Sequence, residues 1–144
     1  NRHRFLRELE RVTTRADRHG TPAALLQIQV GNLPAINERH GRFAGDAALI
    51  HVAKLLGGLI RSTDMLARID GDCFGLILDH LDHNSAIETA DRLVRCIAGD
   101  PLDLGGAVVA LEATIGVATI LPGDAVDDVI RRAGHNLKAA KEAQ

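Results

Sequence analysis

The sequence predicts an α+β domain built on an antiparallel sheet, and two observations carry that prediction. Stretches with helical spacing lie between strand pairs rather than alternating strictly with single strands, in the order α-β-α-α-β-β-α-β-β-α. Midway along the chain, two short runs rich in Leu and Ile flank Asp70-Gly71. An Asp-Gly step between apolar runs marks a tight hairpin, because Gly takes positive φ with no Cβ clash. The tip of that hairpin carries Asp70, Asp72 and Cys73.

Taken in order, residues 2–18 set Phe5, Leu6, Leu9, Val12 and Ala16 at helical spacing, and Gly20-Thr21-Pro22 stops the helix. Ala23–Val30 reads as a strand with Leu26, Ile28 and Val30 on one face and Gln27 and Gln29 on the other. Gly31-Asn32 breaks it. Leu33–His40 follows as a short helix that tolerates Pro34 in its first turn. Gly41 and Gly45 bracket a loop, after which Asp46 is placed to cap a long helix running to about Ile60. Leu49, Ile50, Val52, Ala53, Leu56 and Ile60 form its apolar side, and Gly57-Gly58 weaken its end by about 1 kcal/mol each relative to Ala.

Arg61-Ser62-Thr63-Asp64 leads into the hairpin, and residues 79–84 form a polar loop after it. Ser85-Ala86-Ile87-Glu88 fits a capping box, opening a helix with Ile87, Ala90, Leu93, Val94 and Ile97 inward. Gly99-Asp100-Pro101 ends that helix. Leu102–Leu104 and Ala107–Leu121 supply further strand around a turn at Gly105-Gly106. Pro122-Gly123-Asp124 opens a last helix with Val126, Val129, Ile130, Ala133 and Leu137 along one side.

The 144 residues suffice for a single domain, 1–144, with its own core. The chain is 46% hydrophobic, yet its aromatic residues are Phe5, Phe43 and Phe74 alone, so Leu, Ile, Val and Ala must fill the core. A net charge of −2 supplies no basic field for nucleic acid. No apolar run approaches the roughly 20 residues of a membrane span, and no signal peptide is visible. Cys73 and Cys96 are lone thiols, which suits a reducing compartment. A cytoplasmic location is therefore expected, with any membrane anchor outside this segment. The first residue is Asn1 rather than Met, so the expectation is a piece of a longer multidomain protein.

Five segments in fixed order resemble the GGDEF family of diguanylate cyclase domains. Asn1-Arg2-His3-Arg4-Phe5 is similar to the family's Asn-Arg-x-x-Phe. Ile36-Asn37-Glu38-Arg39-His40-Gly41, followed by Gly45-Asp46, resembles the Ile-Asn-Asp-x-Tyr-Gly-His-x-x-Gly-Asp run. Asp70-Gly71-Asp72-Cys73-Phe74 stands where Gly-Gly-Asp-Glu-Phe belongs. Thr114-Ile115-Gly116-Val117-Ala118 resembles Ser-Ile-Gly-Val-Ala, and Ala140-Lys141 the Ala-Lys of the last helix. The resemblance implies a central five-stranded, mostly antiparallel sheet wrapped by helices, akin to nucleotidyl cyclases and polymerase palms. It further implies a dimer that joins two GTP molecules into cyclic di-GMP, each subunit holding one GTP and Mg²⁺.

This sequence departs from that pattern where the chemistry sits. The family's strand-end Asp-x-Asp falls on Gln29-Val30-Gly31, Cys73 takes the Glu position of the signature, and Pro34 stands where the family usually has Lys. Mg²⁺ takes hard, preferably anionic oxygens. Asp72 is the one acidic ligand left, and a soft thiol replaces neither a ligand nor a carboxylate base. The expectation is a vestigial catalytic site at Gln29, Gly31, Asp72 and Cys73, with Mg²⁺ bound only if GTP is.

Binding remains. By resemblance, Asn37 and Asp46 match guanine-reading positions and Lys141 a phosphate contact, while the Gly31-Asn32-Leu33 backbone at a helix start offers N–H groups to phosphate. Arg61-Ser62-Thr63-Asp64 resembles the family's Arg-x-x-Asp inhibitory site for cyclic di-GMP; five residues, Met65 to Ile69, separate it from Asp70. There Arg supplies a rigid fork and Asp accepts guanine N–H groups. The plainer alternative is that Asp64 ends a turn while Arg61 complements a helix terminus.

Three readings follow. The first is a regulatory module binding cyclic di-GMP or GTP, set beside an EAL phosphodiesterase, a pairing that the stretch from Leu102-Asp103-Leu104-Gly105-Gly106 to Gly116 resembles. The second is a dimerising scaffold that binds no nucleotide. The third is an active cyclase with an unorthodox metal set. Asp79-His80-Leu81-Asp82-His83 has ligand-type side chains without cysteines or a distant partner, which makes a poor metal signal.

Overall fold

A computed structural model describes residues 2–143; Asn1, the first residue of the Asn-Arg-x-x-Phe match, lies outside them. The elements are α1 (Arg2–His19), β1 (Ala23–Val30), α2 (Leu33–His40), α3 (Arg42–Leu59), β2 (Met65–Asp70), β3 (Cys73–Asp79), α4 (His83–Ala98), β4 (Leu102–Asp103), β5 (Val108–Val109), β6 (Ala113–Ile120) and α5 (Val126–Glu142).

β2, β3, β1 and β6 form one sheet in that order, every neighbouring pair antiparallel. Alternation along β1 divides the core in two. Ala24, Leu26, Ile28 and Val30 face a cluster with Leu49, Val52 and Leu56 of α3 and Leu93 and Ile97 of α4. Ala23 and Leu25 face the second cluster, with Phe5, Leu9 and Val12 of α1 and Val129 and Ala133 of α5. Helices thus cover both faces of the sheet, and the face bearing Gln27 and Gln29 lies under α1 and α5.

The main sheet has four strands rather than the five implied by resemblance, because β4 and β5, two residues each, pair with one another. The predicted strand over 107–121 is also interrupted at residues 110–112. There Asn32 Nδ2 donates to Ala110 O at 2.8 Å, Glu112 N to Asn32 Oδ1 at 3.1 Å, and Gly31 N to Glu112 O at 2.9 Å. These bonds tie the segment to the β1–α2 turn instead of to a strand.

Two helices begin earlier than their composition predicts. Gly41, at φ 90°, turns the chain so that α3 starts at Arg42, leaving Asp46 inside the helix rather than at its cap. In α4 the cap is Asp82, whose Oδ1 accepts from Ser85 N at 2.8 Å. Three large apolar residues expected inside are also outside: Ile50 (57% exposed), Ile87 and Ile130. Each sits one position, about 100° of helix, from the buried stripe. The stripes run through Leu49, Val52 and Leu56, through Ala86, Ala90 and Leu93, and through Val129, Ala133 and Leu137.

The β6–α5 connection is held by Asp124. Its Oδ2 accepts from Leu121 N at 2.8 Å and from Arg132 Nη2 at 2.7 Å. The Arg132 guanidinium holds the Asp124 carboxyl below the usual carboxylate range. A depressed acid stabilises the fold above its unfolded pKa of about 3.9, and that stability is lost as pH falls through the folded value. Thermal melts between pH 6 and pH 2 are expected to fall less steeply below pH 4 in Asp124→Asn than in the native chain.

Candidate functional site

The sequence-predicted residues gather at opposite ends of β3, roughly 20 Å apart along the strand from the usual rise per residue. At the hairpin end, Asp70 pairs with Cys73. Arg68 Nε and Nη2 close the tip by donating to Gly71 O at 3.1 and 2.7 Å. Gln29 lies opposite Cys73 on one side and Thr114 on the other. Its Nε2 donates to Asp72 Oδ2 at 3.0 Å, and Val30 N donates to Asp72 O at 3.2 Å, so the end of β1 is bonded to the hairpin. Gln29 Oε1 is buried and has no hydrogen-bond partner among the described residues.

Cys73 is buried, with its Sγ 3.7 Å from Asp72 Oδ1 and 4.0 Å from Gln27 Nε2. Burial pushes the thiol pKa up and the Asp72 charge adds to it, so the sulfur is held protonated. Mg²⁺ does not suit this donor set. Asp72 is the one carboxylate among these positions, Gln29 is a neutral amide, Gly31 has no side chain, and the thiol is soft and protonated.

Asn37 and Asp46 lie on the adjacent helices α2 and α3, both exposed. The close approach is made at Gly45, where a Cβ would overlap Asn37 Oδ1. The Gly31 N–H, expected to help cradle phosphate, is instead bonded to Glu112 O. Lys141 is exposed on α5. The backbone of Leu137 abuts Gly116, so one turn further on, about 6 Å along either element, Lys141 comes level with Thr114 at the hairpin end of the sheet.

At the other end of β3, Arg61 and Asp64 are joined to each other. Asp64 Oδ2 accepts from Arg61 N at 2.9 Å and from Nε at 3.1 Å, and Oδ1 accepts from Nη2 at 2.8 Å. The Asp64 side chain is 2% exposed beneath an arginine that is 47% exposed. Asp64 therefore holds the guanidinium in place and offers no open acceptor in this state. Arg61 Nη2 also donates to Asp79 O at 2.7 Å. A cavity of about 190 Å³ adjoins the pair, lined in part by Leu78, Leu81, Thr89 and Arg92. Reading the sequence missed Thr89 and Arg92, which on α4 carry no signal beyond a polar helix face.

The ligand-type residues at and just beyond the end of β3 have separate duties. The buried carboxylate of Asp79 is bound by Arg15, Asp82 caps α4, and His83 Nδ1 lies 2.6 Å from Thr119 Oγ1. Among the described residues no group of three or more His, Cys, Asp and Glu is placed to share a metal ion. No described helix is long and apolar enough to cross a membrane.

This architecture and hairpin have close counterparts among known proteins. The family model described as "Diguanylate cyclase, GGDEF domain" matches residues 1–144, and the chain belongs to that family. Diguanylate cyclase TpbB of Pseudomonas aeruginosa is 33% identical over 120 residues, 82% of this chain and 27% of that protein. The bifunctional diguanylate cyclase/cyclic di-GMP phosphodiesterase MucR of the same organism is 32% identical over 116 residues, 81% of this chain and 17% of MucR. The chain thus spans about a quarter or less of either relative. The solved GGDEF domain of TpbB superposes with a TM-score of 0.92 at 30% identity, over 100% of this chain and 85% of that one. A sensory box/GGDEF family protein from Caulobacter crescentus superposes at 0.90 with 28% identity, over 100% of this chain and 94% of that one.

Proposed function

We propose that this GGDEF domain is catalytically silent and serves as a receptor for cyclic di-GMP, bound at the cavity beside Arg61. The observation that carries the silent half is that a neutral Gln29 amide, not a second carboxylate, faces Asp72, which leaves one anionic ligand where a Mg²⁺ site needs more. Phosphoryl transfer draws most of its catalysis from metal and positioning, so losing the ion removes the reaction. The receptor half is supported by Arg61, held by Asp64 with half its surface exposed, and by Arg92 on the same cavity. Arginine forks pair bidentately with phosphate. At about 190 Å³ the cavity takes one phosphate and part of a base, the rest of the dinucleotide lying across the surface. The bifunctional relative supports a setting in which the domain tunes a neighbouring EAL phosphodiesterase.

Isothermal calorimetry is the direct test. Cyclic di-GMP is expected to bind the native chain, and Arg61→Ala to weaken it at least about 30-fold, the loss of about 2 kcal/mol that a charged hydrogen-bonding group supplies. Silence toward cyclic di-GMP while GTP binds would move the ligand to Asn37, Asp46 and Lys141. Silence toward both nucleotides would leave a scaffold, with self-association then measured by sedimentation.

A further inference from the structure

We infer that Asp79 couples the Arg61 cavity to α1, so that an anion taking the Arg61 guanidinium loosens the docking of that helix. The inference rests on the receptor reading for its ligand and on geometry for its route. The sheet separates the two regions: the cavity lies on the side of α3 and α4, while α1 packs on the opposite face. Asp79, the last residue of β3, serves both. Its main-chain oxygen accepts from Arg61 Nη2 at 2.7 Å. Its carboxylate, 7% exposed, is gripped by Arg15 through both terminal nitrogens, with Arg11 Nη2 at 3.4 Å.

The turn that follows is held rather than relaxed. His80 has a φ of 53°, a region that residues with a Cβ enter at a cost. Leu81 N then bonds Pro22 O at 3.1 Å, tying the turn to the start of β1. Arg61 therefore holds one side of a strained turn while α1 holds the other through Arg15. A phosphate that competes for Arg61 Nη2, with Nε still held by Asp64, releases the Asp79 carbonyl, frees the turn to relax, and shifts the carboxylate that anchors the last turns of α1. Linkage makes the effect reciprocal: whatever loosens the Arg15 anchor lowers the cost of ligand binding.

Two measurements test this, one without ligand. In a thermal double-mutant cycle, Arg15→Gln and Arg61→Ala share no direct contact, so independent action would make their Tm shifts add. Coupling through Asp79 is expected to make the double variant's shift differ from the sum by about 3 °C or more; additivity within 1 °C or so overturns the coupling. With cyclic di-GMP, Arg15→Gln, which lies outside the cavity, is expected to bind about fivefold more tightly. Hydrogen exchange at residues 11–19 of the native chain is expected to quicken on binding. Unchanged affinity and unchanged exchange in a chain that does bind overturn the coupling while leaving the receptor intact. A native chain that binds nothing removes the receptor reading, and the thermal cycle alone then decides whether Asp79 couples the two sides.

Discussion

Gln29→Asp/Gly31→Asp/Cys73→Glu is expected to raise Mg²⁺-dependent conversion of GTP to cyclic di-GMP about a thousandfold over the native chain. A bound metal contributes several kcal/mol of transition-state stabilisation, and each 1.4 kcal/mol or so is a factor of ten. The backbone can accept the changes. Gly31 does not adopt positive φ, and a Cβ there would find nothing nearer than Glu112 O at 3.9 Å. Gln29 faces Asp72 beside the hairpin, so an Asp at 29, one methylene shorter, turns a second carboxylate toward the gap beside Asp72. Without the ion those like charges repel, and Glu at the buried position of Cys73 adds a desolvation cost. The triple variant should therefore melt below the native chain and regain stability on titration with Mg²⁺, while the native Tm stays flat. Product chromatography and metal-dependent melting check this together. Comparable turnover by the native chain with Mg²⁺ would overturn the silent assignment.

Gly116→Ala is expected to cost about 3 kcal/mol, the upper end for overpacking, and to lower Tm accordingly. β6 and α5 meet here backbone to backbone: a Cβ would fall on Ala133 O and Leu137 N, and lie 2.7 Å from Leu137 Cα. No side chain can swing aside, so the helix itself must move. Gly75→Ala is the contrasting case. Its Cβ would meet Phe5 Cζ at 2.6 Å, the far end of a side chain in the first turns of α1, and about 1 kcal/mol is expected. Chemical denaturation of both variants checks the ranking; equal losses would contradict the backbone argument. Both glycines stand opposite Gln27 in β1. This row gives Phe5 room over β3 and α5 a close seat over β6.

Much of the architecture was legible because its causes are local. The limits of β1 and α2 followed from alternation and from a Gly-Asn break. The hairpin forms at Asp70-Gly71 as expected, but Gly71 does not take positive φ, and the tip is held instead by Arg68 donating to Gly71 O and Gly71 N to Asp70 Oδ1. Side-chain size alone does not set which way a helical residue faces. Ile50, Ile87 and Ile130 are large and apolar, but Leu49, Ala86 and Val129 one position away own the buried stripe. α3 starts four residues before Asp46, which has the chemistry of a cap, because Gly41, with positive φ, makes the turn. At the site, residue identity in Gln29, Gly31, Asp72 and Cys73 already argued against Mg²⁺. That Gln29 bonds Asp72 depended on β1 and β3 pairing in one register.

What the chain alone determined is its family pattern, its element order as far as α4 and the shortage of anionic ligands at the hairpin, since each depends on residue type and near neighbours. Tertiary structure decided which charges find each other. Asp79 is shared between Arg61 and Arg15, and Arg92 joins the Arg61 cavity from a helix some thirty residues on. Short-range geometry sets helices, strands and turns. Partners for buried ions are chosen by which strand ends and helix faces fold together, and no local spacing encodes that meeting.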